Sequence, residues 1–243
     1  MNTTETLKQM QELKMMGMAR SYESILKMPV NNQPEGHELI STLLQAEVMN
    51  RQHQRTQLLL KIGKLRYQPG IEQIKCSPTR NLSKQTLATL TDCTFIDRAE
   101  NILITGATGC GKSYLACALA HQACLLGYKT HYFNMNRFIE RVGQSKVDGT
   151  FVKLLNSINK FKLLVLDDFG LQPLDHNAKL AILQLLEDRY ENKSVIIASQ
   201  LPIEKWYDYI NEPTLADAIM DRLTAQAHKI ELKGDSLRPK RIN

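Results

Sequence analysis

The eight residues from Gly106 to Ser113 constrain the fold of this 243-residue chain more than any other segment. They read GATGCGKS and match the pattern G-x-x-x-x-G-K-[ST] at every fixed position. An apolar run at 102–104 precedes them and a helical pattern begins at Ser113, which predicts a strand–loop–helix unit. In such a unit the backbone N–H groups of the loop and the positive end of the helix dipole bind phosphate oxygens. The motif therefore predicts a nucleoside triphosphate site.

The side chains of this loop are expected to have two roles, one in binding phosphate and one in binding the metal ion. Lys112 is expected to reach the β- and γ-phosphates, and the Ser113 hydroxyl is expected to bind Mg²⁺. Cys110 occupies a variable position of the pattern and needs no catalytic role. We predict that the whole loop binds the nucleotide, namely Gly106, Ala107, Thr108, Gly109, Cys110, Gly111, Lys112 and Ser113.

A second motif is the run FKLLVLDD at positions 161–168, in which apolar strand residues end in two acids. A buried strand directs its terminal carboxylate at the bound metal, so Asp167 is the second residue predicted to bind Mg²⁺. Asp168 follows it and is the candidate general base that polarises the attacking water. A solvated acidic turn is the alternative, which the phosphate loop upstream makes the less favoured one.

Two further segments supply candidates for the hydrolysis step. Positions 195–200, VIIASQ, predict a strand that ends in Gln200. Gln200 is a candidate for sensing the γ-phosphate or orienting water, and a plain cap of the strand end is the alternative. Beyond this strand, Arg222 stands in the segment MDRL at an acidic turn and is a candidate arginine finger for a neighbouring subunit. A local ion pair with Asp217 or Asp221 is the alternative role for Arg222.

The arrangement of apolar segments predicts two domains. Residues 1–67 have helical periodicity, with a break at MPVNNQPEG, positions 28–36. From Glu100 onward, short apolar runs alternate with helical patterns, which predicts an α/β fold with a parallel sheet and helices on both faces. We place a small all-α N-terminal domain at residues 1–70 and a P-loop NTPase domain at residues 71–243. The predicted strands are 101–105, 130–134, 163–167, 194–199 and 228–232.

The net charge of +6 is unevenly distributed along the chain. Positions 51–84 hold eight basic residues against one acid, and positions 229–243 hold five against two. Basic segments beside a nearly neutral middle are typical of polyanion-binding proteins, and a solvated helix face is an equally weighted alternative. Tyr67 is the only aromatic residue in the first segment, which favours duplex over single-stranded DNA. The candidate DNA contacts are Arg51, Arg55, Lys61, Lys64, Arg66, Lys233 and Arg238.

Composition bears on the location of the protein. Hydrophobic residues make up 43% of the chain and charged residues 23%, which is ordinary for a globular protein with a core. No apolar run approaches the roughly 18 residues that a membrane span requires. The first 20 residues also lack the apolar segment of a secretory signal. We therefore expect a cytoplasmic protein with no membrane partner.

Taken together, the segments GATGCGKS, LLVLDDFG, IIASQLP and IMDRL resemble, in this order and at these intervals, the AAA+ ATPases of the helicase-loader branch. The chain is most similar to the IstB family, the ATP-binding helper proteins of bacterial insertion-sequence transposition. The segment FID at 95–97, the tail IELKGDSLR at 230–238 and the pattern LKxxGM at 13–18 also match this family. The resemblance covers nearly the whole chain.

The resemblance implies a sheet of order 5-1-4-3-2, ATP and Mg²⁺ as cofactors, and assembly of a homo-oligomer on double-stranded DNA. It further implies that the protein presents target DNA to a cognate transposase, that ATP hydrolysis times this step, and that Arg222 completes the site of the next subunit in trans. The pair Asp167-Asp168 departs from the Asp-Glu pair of most AAA+ proteins, as is usual in this branch. Only 21 residues follow Arg222, so the C-terminal lid is expected to be short or absent.

Two alternatives to this function remain open. The first is a replicative helicase loader of the DnaC type, which shares all four ATPase motifs. The second is a nucleotide-dependent scaffold in which hydrolysis is vestigial. Binding to a helicase or to a transposase would distinguish a helicase loader from a transposition helper. Measurement of ATP turnover would distinguish a scaffold from an active ATPase.

Overall fold

The structure, a computed structural model, describes residues 2–237. Arg238, one of the predicted DNA contacts, lies outside the described residues. The chain forms two compact units, Met1–Leu58 and Leu59–Asn243. The division between them falls inside one long helix, Gly36–Gly63, whereas the sequence places the domain boundary after that helix, at residue 70.

The first unit is helical. It consists of α1 (Thr3–Glu12), α2 (Met16–Leu26) and the greater part of α3 (Gly36–Gly63). The chain leaves the helical conformation between α1 and α2 at Lys14, whose φ is 59°. The helical run before position 28 is therefore two helices rather than one.

Glu47 connects α2 to α3 within this unit. Its buried carboxylate accepts hydrogen bonds from the backbone N–H groups of Gly17 (2.7 Å) and Met18 (3.3 Å). It also accepts one from Nε of Arg51 at 2.7 Å. Burial would raise the pKa of Glu47, but the hydrogen bonds from Arg51 and the two backbone groups hold it below its ordinary value. Glycine is required at position 17, because a Cβ there would collide with the carbonyl oxygen of Ala46 on α3.

The second unit contains a five-stranded parallel sheet in the order β2-β3-β4-β1-β5. This is the predicted order read from the opposite edge, so the predicted fold class is confirmed. The strands are β1 (Asn101–Gly106), β2 (Thr130–Asn134), β3 (Leu163–Phe169), β4 (Ser194–Ser199) and β5 (Ala227–Leu232). The helices of this unit after α3 are α4 (Lys84–Thr91), α5 (Thr94–Asp97), α6 (Lys112–Leu125), α7 (Met135–Val147), α8 (Phe151–Ile158), α9 (His176–Glu187), α10 (Trp206–Ile210) and α11 (Pro213–Thr224).

The sheet is buried on both faces, which is why its central strands are continuous apolar runs. In β1, Leu103 packs into the hydrophobic cluster on one face, whereas Ile102 and Ile104 pack into the cluster on the other. Helix α9 belongs to the first cluster and helix α6 to the second. This packing fixes the ends of β1 and β3, where the residues of the phosphate and acidic motifs lie.

Two further elements that bear on the candidate site differ from the sequence prediction. Helix α3 ends at Gly63 rather than at Tyr67, because Lys64 adopts a left-handed φ of 50°. Helix α11 was not predicted, and it places Arg222 in the last turn of a helix instead of at an acidic turn. After β5, the described residues 233–237 form no helix. Within residues 2–237, no helix is long and apolar enough to cross a membrane.

Candidate nucleotide-binding site

The loop between β1 and α6 has a backbone shape that its glycines permit. Gly106 has a φ of 141° and Gly111 a φ of 95°, values that residues with a Cβ rarely adopt. A Cβ at Gly106 would also collide with the carbonyl oxygen of Leu232 at the end of β5. Gly111 is the N-cap of α6, so the loop leads directly into the first turn of that helix. The N–H groups of this turn are the donors that bind phosphate in such loops.

Two basic side chains hold the loop. Lys112 is 8% exposed, and its Nζ donates to the carbonyl oxygens of Gly106 and Ala107, both at 2.8 Å. Arg80 Nη2 donates to the carbonyl oxygen of Cys110 at 2.5 Å. The Cys110 side chain itself is buried in the hydrophobic cluster beneath the loop. The loop is therefore flanked by two positive charges, as a phosphate-binding segment requires.

Ser113 and Asp167 meet at the start of α6. Ser113 Oγ donates to Asp167 Oδ1 at 2.9 Å, and Oδ2 of the buried Asp167 accepts from the Tyr132 hydroxyl at 2.6 Å. Burial and this hydrogen bond raise the pKa of Tyr132, so its hydroxyl remains a donor. Mg²⁺ prefers oxygen ligands and is usually bound by one or two protein groups together with phosphates and waters. The hydroxyl of Ser113 and the carboxylate of Asp167 fit that requirement.

Asp168 lies at an irregularity of β3. Its φ is 61°, and the register between β3 and β4 shifts between Leu166 and Phe169. A bulge of this kind turns a side chain out of the alternation of the strand. Oδ2 of Asp168 accepts a hydrogen bond from Asn134 Nδ2 at 2.7 Å. Burial, and secondarily the charge of Asp167, raises the pKa of Asp168 above its ordinary value.

Sequence analysis missed Tyr132 and Asn134. They are alternate residues of β2 and therefore lie on the same side of that strand. Pairing of β2 with β3 places Asn134 opposite Asp167. The available signal was a polar residue at the end of an apolar strand, but its use required knowing that β2 is the neighbour of β3.

Arg66 lies beside the two carboxylates. Its Nη1 is 3.7 Å from Asp167 Oδ2 and 3.6 Å from Asp168 Oδ2, and 44% of its side chain is exposed. Sequence analysis assigned Arg66 to the DNA contacts on charge alone. The structure places its guanidinium at the acidic motif instead of on an isolated helix face.

Ser199 and Gln200 have different surroundings at the end of β4. Ser199 is buried, donates from Oγ to the carbonyl oxygen of Phe169 at 2.7 Å and accepts from the Leu201 N–H at 3.0 Å. It therefore caps the strand end. Gln200 is exposed, and its Oε1 accepts a hydrogen bond from Thr108 Oγ1 in the phosphate loop at 2.9 Å. Gln200 is the member of the pair that faces the nucleotide loop.

Arg66, Lys112, Ser113, Asp168 and Gln200 line a cavity of about 710 Å³. One part of its wall is polar and includes Lys112, Ser113 and Gln200. Another part is apolar and includes Ile74 and Leu82. This volume lies in the range of roughly 300–1,000 Å³ that is common for small-molecule sites. A charged wall next to an apolar wall matches a nucleotide, which carries a triphosphate at one end and a flat base at the other.

Arg222 lies away from this cavity. Its Nη2 is 2.6 Å from Glu187 Oε1, and its Nη1 is 3.5 Å from Asp221 Oδ2. Asn101 Nδ2 donates to the Arg222 carbonyl oxygen at 3.0 Å, and Asn101 begins β1. The phosphate loop follows the other end of that strand, which is roughly 17–20 Å long. Within one chain, Arg222 is therefore separated from Lys112 by the length of the strand.

The predicted DNA contacts have varied surroundings. In the first unit, Arg51 forms an ion pair with the buried Glu47, and Arg55 is exposed on α3. In the second unit, Lys61 is exposed near the end of α3, and Lys233 lies 3.4 Å from Glu231. The charges of Arg51 and Lys233 are thus partly neutralised by local partners.

A second cavity, of about 630 Å³, is basic. Its lining includes Lys64, Arg66, Arg137 and Arg141 against the single acid Asp168. Arg137 and Arg141 are four residues apart on α7 and share a face of that helix. Arg137 and Arg141 were not predicted, because only the net charge of sequence segments was counted. Their four-residue spacing within a helical segment was nevertheless visible in the sequence.

Comparison with known proteins gives a consistent result. The family model of the IstB-like ATP binding proteins matches residues 8–243. An insertion sequence ATP-binding protein of Sinorhizobium fredii is 36% identical over 233 residues, which cover 96% of this chain and 95% of that protein. The IS1162 ATP-binding protein of Pseudomonas fluorescens is 36% identical over 203 residues, which cover 83% of this chain and 88% of that protein.

Two solved structures share the fold of a large part of this chain. The DnaC helicase loader superimposes with a TM-score of 0.57 at 19% identity, covering 68% of this chain and 96% of that one. DnaA from Aquifex aeolicus bound to AMPPCP superimposes with a TM-score of 0.59 at 20% identity, covering 71% of this chain and 52% of that one. At these identities the likeness concerns the fold alone, and it agrees with the predicted parallel sheet with flanking helices.

Proposed function

The chain belongs to the family of IstB-like ATP-binding proteins, and we propose that it is an ATPase that assembles on double-stranded DNA and helps an insertion-sequence transposase to select its target. One observation carries the ATPase part of the proposal. The phosphate loop and the acidic motif meet at the hydrogen bond between Ser113 and Asp167, next to Asp168. This contact supports the assignment of a phosphate site, a metal site and a general base to neighbouring residues.

Nucleotide binding is assigned to residues of this chain in the following way. The loop N–H groups and Lys112 would bind the phosphates, and Ser113 and Asp167 would hold Mg²⁺, which would supply positive charge to the bound triphosphate. The relatives named above are ATP-binding proteins of insertion sequences, which supports ATP as the nucleotide.

Hydrolysis is assigned to Asp168 and two helpers. Asp168 accepts the proton of the attacking water as the general base, and it lies directly beside the proposed metal ligand Asp167. Gln200, which already contacts the phosphate loop, orients that water or senses the γ-phosphate. Arg222 acts in trans on the γ-phosphate of the next subunit, since it lies at the far end of β1 from its own loop. Charge-stabilising arginines of this kind contribute about 10³–10⁵ in rate.

DNA binding is assigned to exposed basic side chains near this domain. Arg137, Arg141 and Lys64 form a basic wall that would accept phosphates without reading the sequence. Arg55 and Lys61 on α3 are further candidates because both side chains are exposed.

The test measures ATP hydrolysis with and without duplex DNA, together with gel shifts in ATP, in ADP and without nucleotide. We expect turnover that DNA stimulates and a DNA complex that ATP favours. Lys112→Ala should lose nucleotide binding, whereas Lys160→Ala, which removes the same charge before β3, should not. A scaffold without hydrolysis would show ATP-dependent DNA binding with no turnover.

Helicase loading is distinguished by the partner. The likeness to DnaC concerns the fold alone, whereas the insertion-sequence relatives match nearly the full chain at 36% identity. We expect capture of the cognate transposase and no capture of the replicative helicase. The reverse result would replace transposition with helicase loading.

A further inference from the structure

Arg66 lies beside both carboxylates of the acidic motif, and neither the phosphate-loop assignment nor the arginine-finger assignment uses it. It follows α3 on an irregular segment, and Lys64 in its left-handed conformation ends that helix. The segment is fixed to the ATPase unit, because the Ile62 carbonyl lies 2.8 Å from His131 Nδ1 on β2. Leu65 packs against the hydrophobic cluster around α6. These contacts of the neighbouring residues Ile62 and Leu65 therefore fix the backbone position of Arg66.

The guanidinium of Arg66 retains capacity for another partner. Its distances of 3.7 and 3.6 Å to the two carboxylates are those of an ion pair and exceed the usual 2.7–2.9 Å of a charge-assisted hydrogen bond. The side chain is 44% exposed and rests over the Tyr67 ring at 5.4 Å from the ring centroid. It lines the same cavity as Lys112, Ser113 and Gln200. An arginine placed in this way can turn from the carboxylates into the cavity without moving its backbone.

Charge determines what the guanidinium would do when Mg·ATP binds. The metal would bring two positive charges to Asp167, which weakens the attraction of that carboxylate for Arg66. The triphosphate would at the same time bring anionic oxygens to the cavity that Arg66 lines. A guanidinium binds phosphate with two parallel hydrogen bonds, which an ammonium does not. Exchange of carboxylate for phosphate is therefore the favoured response.

We propose that Arg66 is a phosphate-binding residue of the nucleotide site in its own chain, which contacts the terminal phosphate of ATP and so distinguishes ATP from ADP. This inference rests on the proposed ATP-binding function and adds to it a residue outside the recognised motifs.

The experiment compares the dissociation constants of ATP and ADP in Mg²⁺ by calorimetry, for the full chain and three variants. Arg66→Gln removes the charge, and Arg66→Lys keeps the charge but loses the forked donor geometry. Lys160→Gln is the matched control, because it removes one positive charge from an exposed position at the opposite end of β3. We expect Arg66→Gln to weaken ATP binding about tenfold and ADP binding less than twofold. Arg66→Lys should lose part of the ATP preference, and Lys160→Gln none of it.

Each other outcome overturns the inference. Equal weakening of ATP and ADP would mean that Arg66 only supports the loop. Unchanged ATP binding would leave Arg66 as a surface cation, and tighter ATP binding would make it a mere competitor of Mg²⁺. Retained ADP affinity in the variants reports an intact fold. If the unaltered chain bound ATP but did not hydrolyse it, the proposed ATPase function would fail while the affinity test of Arg66 would stand.

Discussion

Nη2 of Arg222 lies 2.6 Å from Oε1 of Glu187, and this ion pair joins the last turns of α11 and α9. Both side chains are partly exposed, so the pair contributes at most about 1 kcal/mol to folding. The Nε atom of Arg222 is buried and has no hydrogen-bond partner within the described residues. Nη1 of Arg222 also donates to the carbonyl oxygen of Ala218 at 3.1 Å, so the guanidinium has to leave partners on α11 and α9 before it can act on another subunit.

The first prediction concerns Arg222. Arg222→Ala should retain ATP binding by the monomer yet lose DNA-dependent hydrolysis by about 10³-fold or more, because it removes the charge that acts on the next subunit. ATP affinity and steady-state turnover measure the two effects. Glu187→Gln is the control, since it breaks the same ion pair but leaves the arginine. If both variants lose hydrolysis equally, hydrolysis depends on the ion pair between Arg222 and Glu187, and the arginine-finger role of Arg222 is contradicted.

Mixing experiments test whether Arg222 acts in trans. Arg222→Ala mixed with Asp168→Asn should recover some turnover, because some interfaces then combine an intact base with an intact arginine. Recovery should depend on the mixing ratio. Absence of recovery in oligomers shown to contain both variants would place the action of Arg222 within one chain.

The second prediction separates the two acids of β3. Asp168→Asn should keep ATP bound and reduce hydrolysis by about 10²–10⁴-fold, since it removes the base. Asparagine tolerates the left-handed φ of 61° at this position. Asp167→Asn should in addition weaken the binding of Mg²⁺. A normal rate in Asp168→Asn would move the base elsewhere, with Gln200 as the next candidate for orienting water.

Asp168→Asn should also raise the thermal midpoint measured without nucleotide at neutral pH. The folded state raises the pKa of Asp168 and therefore favours its protonated form. Ionisation of Asp168 as the pH rises from below 3.8 thus makes folding less favourable. Asparagine removes that charge and its repulsion with Asp167. A lower midpoint would indicate that the hydrogen bond with Asn134 outweighs the burial of charge.

Residues of the site that are neighbours in the sequence could be predicted, whereas contacts between residues far apart in the sequence could not. The phosphate loop and Asp167-Asp168 were visible because each is a contiguous run with a defined strand before it. Asn134 was not, because its contact with Asp168 exists only once β2 and β3 are adjacent. The sheet order came from resemblance and not from the spacing of apolar runs, which does not specify which strands are neighbours.

Arg66 shows a different limit. Arg66 was predicted to be a DNA contact on the assumption that α3 continues to Tyr67. Arg66 would then lie on the same helix as Arg55. The helix ends at Gly63, and the left-handed Lys64 redirects the chain towards β3. Gly63 was an available signal, since glycine is common where helices end. Charge counting along the sequence could not distinguish an exposed arginine from one that faces carboxylates.

The third prediction concerns the first unit. Glu47→Gln should destabilise it by about 1–3 kcal/mol, because the backbone N–H groups of Gly17 and Met18 lose a charged acceptor. The folded state lowers the pKa of Glu47, so its contribution is present above pH 4.5 and lost as the pH falls through the lowered value. Circular dichroism melts across this range should show that dependence in the natural chain and not in the variant. ATP affinity should be unchanged, and a parallel loss would contradict the assignment.

The fourth prediction concerns the basic wall on α7. Arg137 and Arg141 line one cavity, and duplex binding through both should release counterions with a log–log salt slope of about −0.9 per contact. Arg137→Gln with Arg141→Gln should therefore make the slope for DNA affinity shallower by about 1.8 and leave ATP affinity intact. The matched control is Lys153→Gln with Lys160→Gln, which removes equal charge from exposed positions in α8 and after it. Equal slopes for both double variants would make the α7 arginines a solvated face and leave Arg55 and Lys61 as the remaining candidates.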